Sequence, residues 1–215
     1  MLNNIELIIH SSLRIKYEDK IIYIDPYMLN HKYENDADYI FITHNHYDHF
    51  SSDDIIKIKK SDTKIIIPFD LKEQVLALGF IIDNILLVEP NNEYQIDNIK
   101  FTTIPSYNTN KPFHKREYNW VGYLLSLDEL IYIAGDTDIT EESCKVKCDI
   151  ACVPIGGVYT MNVQEAVSLI KIIKPKITIP LHYGSVVGKK EDAESFQELL
   201  KEITRVEIIM GDSND

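Results

Sequence analysis

A chain of 215 residues with 45% hydrophobic and 26% charged side chains holds enough apolar material for one substantial core and lacks the bias of a disordered protein. Its 22 Lys and Arg against 34 Asp and Glu leave a formal charge of -12, the wrong balance for a surface that tracks phosphates, which argues against nucleic acid as a partner. The first ten residues show no basic segment followed by a long apolar stretch, and no run approaches a membrane span, so a cytoplasmic protein with a small-molecule substrate and no membrane partner is expected.

Three short β-rich runs, 5–9, 13–17 and 21–24, are divided by Ser11 and Ser12 and by Glu18, Asp19 and Lys20, which predicts an antiparallel meander. The apolar run Tyr39, Ile40, Phe41, Ile42 then leads into Thr43-His44-Asn45-His46-Tyr47-Asp48-His49-Phe50. Ser51, Ser52, Asp53 and Asp54 offer helix caps ahead of Ile55, Ile56 and Ile58, so a helix starts just beyond the histidines. Residues 64–67 read as a strand ending at Pro68, 69–78 as a helix stopped by Gly79, and 85–88 as another strand. Further strands are predicted at 94–96, 99–104, 121–126 and 130–134. Asn162, with Glu165 three residues on, caps a helix carrying Val163, Ala166, Val167 and Ile170 that ends before Pro175. A strand at 177–180, a helix at 193–203 and a strand at 206–209 close the chain. Strands and then helices occur in each half, which predicts an α/β fold of two packed sheets with helices outside, as one domain over 1–215.

The segment 43–50 concentrates the chemistry. Its three imidazoles and one carboxylate fall within six positions, 44–49, where a strand ends, and buried groups of that kind need partners. In extended chain alternate side chains share a face, so His44 and His46 point together at one ion, while the following turn redirects Asp48 and His49 towards a second. Nitrogen and oxygen donors suit zinc, with manganese or iron as other candidates. Other apolar runs end alike: Asp25 follows 21–24, Tyr107 and Asn108 follow 101–104, Asp136 follows 131–135, and His182 follows 177–181. If those ends share one sheet edge, the donors meet in one cleft. Cys144, Cys148 and Cys152 do not form a disulfide framework, and Cys152, inside an apolar run, reads as a buried thiol.

The pattern His44-x-His46-x-Asp48-His49, with Asp25 upstream and Gly135-Asp136-Thr137 and His182 downstream, resembles the metallo-β-lactamase superfamily over nearly the whole chain. The stretches 132–138, 154–161 and 180–184 are similar to its stand-alone hydrolase branch, the ascorbate-phosphate lactonase and N-acyl-phosphatidylethanolamine phospholipase group. The resemblance implies a four-layer αβ/βα sandwich with the site at one edge of the sheets. It implies a first zinc on His44 and His46, a second on Asp48, His49 and His182, a bridging Asp136, and an Asp25 that holds the histidine loop and orients an imidazole. The superfamily takes a third ligand for the first zinc from a histidine that Asn108 replaces here. Three outcomes stand open: His114 replaces it, Asn108 binds weakly, or the first site is only partly filled. His10, followed by Ser11 much as in that branch, is expected to orient a ligand or line the pocket.

Two ions held about 3.5–4 Å apart bring a shared water towards a pKa of about 7 and so supply hydroxide at neutral pH. Asp48 or Asp136 then carries a proton to the leaving oxygen. The expected reaction is cleavage of an ester, lactone or phosphodiester bond in a small anionic substrate, with Lys111, Lys115 and Arg116 lending a positive field. Tyr107, Gly156, Gly157, Tyr159 and Thr160 are candidate substrate contacts. The rival expectation is a metal-binding regulatory or scaffolding protein whose defective first site has lost catalysis. Neither a Gly-x-Ser-x-Gly nor a Gly-x4-Gly-Lys-Ser/Thr motif is present to suggest another chemistry.

Overall fold

The computed structural model describes residues 1–209, in two compact units, Met1–Val88 and Glu89–Ile209. The first unit is built on a six-stranded mixed sheet. Strands β1 (Ile5–Ile9), β2 (Ser12–Tyr17) and β3 (Lys20–Ile24) form the expected antiparallel meander, and β4 (Ala37–Phe41) then pairs parallel to β3. Helix α1 (Ser52–Ile58) returns the chain to β5 (Lys59–Pro68), and α2 (Lys72–Ala77) returns it to β6 (Ile85–Val88), completing the order β1-β2-β3-β4-β5-β6. Parallel neighbours require such crossovers.

Both crossovers follow local sequence rules. Ser51 caps α1 by accepting from the Asp54 amide, and Asp53 and Asp54 place negative charge in its first turn. Ile55 and Ile58 of α1 and Val75 of α2 pack with Ile40, Ile65 and Ile67 of the central strands. Each isoleucine so buried stabilises the unit by roughly 1.5–3 kcal/mol relative to exposure. Strand β5 starts at Lys59 rather than 64, because α1 ends on an extended Lys59 that runs directly into the ladder. The helix expected over 69–78 splits into a 3-10 turn, Phe69–Leu71, and α2, which stops before Gly79 at φ +78.

The second unit is a seven-stranded sheet ordered β13-β12-β11-β10-β9-β8-β7. Strands β7 (Glu93–Ile96), β8 (Ile99–Pro105), β9 (Val121–Ser126) and β10 (Leu130–Ile133) run antiparallel. Strands β11 (Ile150–Pro154), β12 (Ile177–Leu181) and β13 (Arg205–Val206) extend the sheet in parallel through α3 (Val163–Ile173) and α4 (Lys190–Leu200). Asn162 and Glu165 form the predicted reciprocal cap of α3, which ends with Lys174 in a left-handed conformation just before Pro175.

Helices α3 and α4 bury Leu169, Ile170, Phe196 and Leu200 against Val153 and Ile155. Helix α4 begins three residues earlier than expected, because Asp192 accepts from the Lys189 amide at 2.7 Å and so sets the start ahead of Ala193. Strand β13 has two residues only, since its register extends no further than Ile177 with Arg205 and Thr178 with Val206. No helix among the described residues is long and apolar enough to cross a membrane.

Candidate metal centre

In the first unit, the residues after β4 fold into a tight turn in which the amides of His49 and Phe50 both donate to the His46 carbonyl, at 3.0 and 2.8 Å. That turn gathers the donors. His44 Nε2 lies 3.1 Å from His46 Nδ1, and the His44 and His49 rings lie tilted against each other with centroids 4.0 Å apart. Asp48 Oδ2 lies 3.2 Å from His10 Nε2 and 3.9 Å from His49 Nε2.

Asp25 and Thr43 govern how these rings are presented. Asp25 is buried, accepts from the Thr43 amide at 2.8 Å and from the Thr43 hydroxyl at 2.7 Å, and lies 2.8 Å from His49 Nδ1. Because the Thr43 proton is committed to Asp25, a hydroxyl lone pair faces His44 Nδ1 at 3.0 Å. Both imidazoles therefore hold their proton at Nδ1 and present the Nε2 lone pair, the tautomer a metal ligand needs. Burial pushes the Asp25 carboxyl above its ordinary value, and His49 and Thr43 pull it back.

In the second unit Asp136 is the centre. The chain leaves β10 through Gly135 at φ +65, which aims Asp136 so that its Oδ2 lies 3.3 Å from His114 Nε2 and 3.0 Å from His182 Nε2. All three side chains are buried. The Asn108 side-chain oxygen accepts from the His114 amide at 3.0 Å and lies 3.1 Å from His114 Nδ1, and the Tyr159 carbonyl lies 3.2 Å from the same nitrogen. Asn108 thus orients His114, and the histidine presents the nitrogen that meets Asp136. His182 owes its place to Gly156, where a Cβ would lie 2.3 Å from the His182 carbonyl oxygen.

A backbone device recurs at the strand ends. His10 after β1, Asp25 after β3 and His182 after β12 all have positive φ, 55°, 45° and 57°. Non-glycine residues held there carry strain of roughly 1–3 kcal/mol, which persists where the surroundings over-determine the conformation and clusters at functional sites. The donors suit a divalent cation, being imidazole nitrogens and carboxylate oxygens, most of them buried, with Nδ1 of His44, His49 and His114 set against oxygen atoms.

A beta-lactamase superfamily domain model matches residues 4–182. The UPF0173 metal-dependent hydrolase of Nanoarchaeum equitans is 32% identical over 203 residues, covering 90% of this chain and 89% of that protein. The chain belongs to the metallo-β-lactamase superfamily and is a UPF0173 metal-dependent hydrolase. A second UPF0173 hydrolase, from Staphylothermus marinus, is 32% identical over 89% of this chain and 86% of its own length. Among solved structures, a metal-dependent hydrolase from Parabacteroides distasonis matches with a TM-score of 0.83 at 32% identity, over 95% of this chain and 91% of that one. The α/β fold is therefore that of the superfamily. The diiron β-hydroxylase CmlA of Streptomyces venezuelae shares it, with a TM-score of 0.74 at 13% identity over 94% of this chain and 52% of that one, so the fold alone does not choose the metal. The narrower likeness to the lactonase and phospholipase group rests on sequence motifs alone.

Several candidate residues of this UPF0173 chain have structural employment. The buried Tyr107 donates its hydroxyl to Glu142 at 2.9 Å under the Arg116 guanidinium, and the buried Thr160 hydroxyl faces the Met161 carbonyl. Both hydroxyls thus have partners within the protein. Gly156 makes the close approach to His182, and Gly157 turns at φ +84. The basic loop is answered by carboxylates: Lys111 pairs with Asp138, Arg116 with Glu142 at 2.8 Å, and Lys115 with Glu117 at 3.6 Å. Burial pushes the Cys148 thiol up to about 12 and raises that of Cys152, which opposes the thiolate a metal requires. Sequence reasoning missed Thr43 and Asp138. The signal for Asp138 was its position two residues after Asp136 with Lys111 in the facing loop; for Thr43 there was only its place before His44.

Proposed function

We propose that this UPF0173 hydrolase cleaves an ester, lactone or phosphodiester bond of a small molecule with two divalent ions, zinc by preference. The candidate donors are His44, His46, Asp48 and His49 with His10 in the first unit, and His114, Asp136 and His182 in the second. This reading adds His10 to the donors expected from the sequence and, of the three outcomes left open there, takes His114. When bound, the ions bring a water towards a pKa of about 7 and polarise the scissile oxygen.

The chain's own residues do the rest. Asp48 or Asp136 would receive the proton of the attacking water and pass it to the leaving oxygen. Asp25, Thr43 and Asn108 hold the imidazoles in one tautomer, so the site needs no reorganisation when substrate arrives. The observation that carries this reading is the buried Asp136 carboxylate oxygen set between two imidazole Nε2 atoms from separate loops. The non-catalytic alternative drew its support from Asn108; the position of His114 beside Asp136 counts against it.

Elemental analysis of protein purified without chelator, beside His114→Ala and His182→Ala, tests it together with turnover of a generic phosphodiester and a lactone. Near two ions per chain, loss of metal in both variants and turnover of either substrate are expected. One ion or none, and no turnover after zinc or manganese is restored, would move the assignment to a non-catalytic metal protein.

A further inference from the structure

Residues 106–115 of the second unit, which carry Asn108 and His114, contain neither helix nor strand, so side chains must set their path. The start of this loop is fastened to the Asp136 turn. The Ser106 hydroxyl donates to the Asp136 carbonyl at 2.9 Å, the Asp138 amide donates to the Tyr107 carbonyl at 3.0 Å, and the Tyr107 amide donates to the Thr137 hydroxyl at 3.1 Å. Past Tyr107 the Asp138 side chain carries the contact. Its Oδ2 accepts from the Thr109 amide at 2.9 Å, and its Oδ1 meets Lys111 Nζ. Lys111 Nζ also lies 3.6 Å from Oε2 of Glu165, the oxygen that accepts from the Asn162 amide at 2.8 Å in the cap of α3.

One carboxylate and one ammonium thus join the His114 loop, the Asp136 turn and the start of α3. Asp138 is buried, and a buried carboxylate is tolerated only with partners. A buried ion pair contributes little net stability beside an apolar pair of the same volume, yet losing either partner strands the other charge, so the two stay together. The geometry they fix matters three residues on. His114 Nε2 faces Asp136 Oδ2 at 3.3 Å, and a displacement of about 1 Å at such a site is costly. Trp120, the single tryptophan of the chain, packs edge-on against the His114 ring at 5.7 Å and reports on its place.

We propose that Lys111 and Asp138 are positioning residues, a latch that holds the His114 loop against the Asp136 turn and so sets the approach of His114 to Asp136. Its consequence for metal binding rests on the hydrolase reading above; the latch itself does not.

The test compares full-length parent, Lys111→Ala, Lys111→Arg, Asp138→Asn and His114→Ala, each shown to be folded by circular dichroism. Zinc affinity is measured by chelator competition, and acrylamide quenching of Trp120 is measured on the metal-free proteins. Lys111→Ala should bind zinc about 10- to 100-fold more weakly and expose Trp120 to quencher, as expected when a group that orients a ligand is lost. Lys111→Arg keeps the cation and should recover most of the affinity. Asp138→Asn is the milder variant, since it keeps an oxygen for the Thr109 amide, and it should shift both readouts in the same direction. Lys176→Ala removes an exposed pair with Asp149 in the same unit and should match the parent. Parent-like affinity and quenching in Lys111→Ala and Asp138→Asn, or equal losses in Lys111→Ala and Lys111→Arg, would overturn the proposal. Raised quenching in Lys111→Ala beside a His114→Ala variant that binds zinc as the parent does would uphold the latch and sink the metal assignment of His114 alone.

Discussion

Asn108 and His114 grip each other from both ends of one loop: the Asn108 amide donates to the His114 carbonyl at 2.7 Å, and the Asn108 side-chain oxygen accepts from the His114 amide at 3.0 Å. The same oxygen lies 3.1 Å from His114 Nδ1. Asn108→Ala should therefore weaken metal binding by about 10- to 100-fold without removing a donor, as loss of a group that orients an imidazole does elsewhere. Chelator competition measures this, and an unchanged affinity would show that His114 is held without Asn108.

Thr43 links three residues. Replacing it with Val leaves Asp25 short of one hydrogen bond in a buried position and frees His44 Nδ1 from its acceptor. A loss of about 1–3 kcal/mol is expected in urea unfolding. Thr43→Ser keeps the hydroxyl and should stay within about 1 kcal/mol of the parent.

Gly156→Ala places a methyl group 2.3 Å from the His182 carbonyl oxygen, a backbone atom that cannot swing away. The loop carrying His182 must shift, so thermal unfolding should show a loss of about 1–3 kcal/mol and metal analysis a fall in content. Gly79→Ala at φ +78 is the comparison: it introduces backbone strain just after α2, where the only near atom is the flexible Lys59 Nζ at 3.3 Å, and it should leave metal content intact.

The Asp38 carboxylate gives a pH signature away from the donors. Burial pushes its pKa up, but Lys60 Nζ at 2.7 Å and the Ile21 amide at 2.8 Å outweigh that and hold it below the ordinary value. A depressed carboxylate contributes stability that is fully present above its unfolded pKa of about 3.9 and is lost as pH falls through the folded value. Asp38→Asn should thus be less stable than the parent by about 1 kcal/mol at pH 7, with the gap closing below about pH 4. Urea titrations at pH 7, 5 and 3.5 measure the gap, and equal gaps at all three would remove the ionic origin.

The sequence by itself determined most of the elements and marked most of the candidate donors, because both are written in local pattern. The alternation of 5–9 and 13–17, the Ser51 and Asn162 caps and the stops at Gly79 and Pro175 are short-range effects, and the corresponding elements form where expected. His44, His46, Asp48 and His49 were legible because nothing in ordinary packing calls for them within six positions.

What needed the tertiary structure was every role set by distance through space. Asn108 reads as a failed ligand along the chain; in space it is the residue that aims His114, because the loop between them closes on itself. Lys111 and Arg116 read as a positive field, whereas Asp138 and Glu142, more than twenty residues away, neutralise them. Tyr107 ends a strand as a donor would, yet its hydroxyl is turned to Glu142. The left-handed conformations of His10, Asp25 and His182 carry no sequence signal, since only their fixed surroundings hold such residues there. Local propensity is short-ranged and additive along the chain, while the partner of a charge or hydroxyl is chosen by the fold, which alone decides what each group meets.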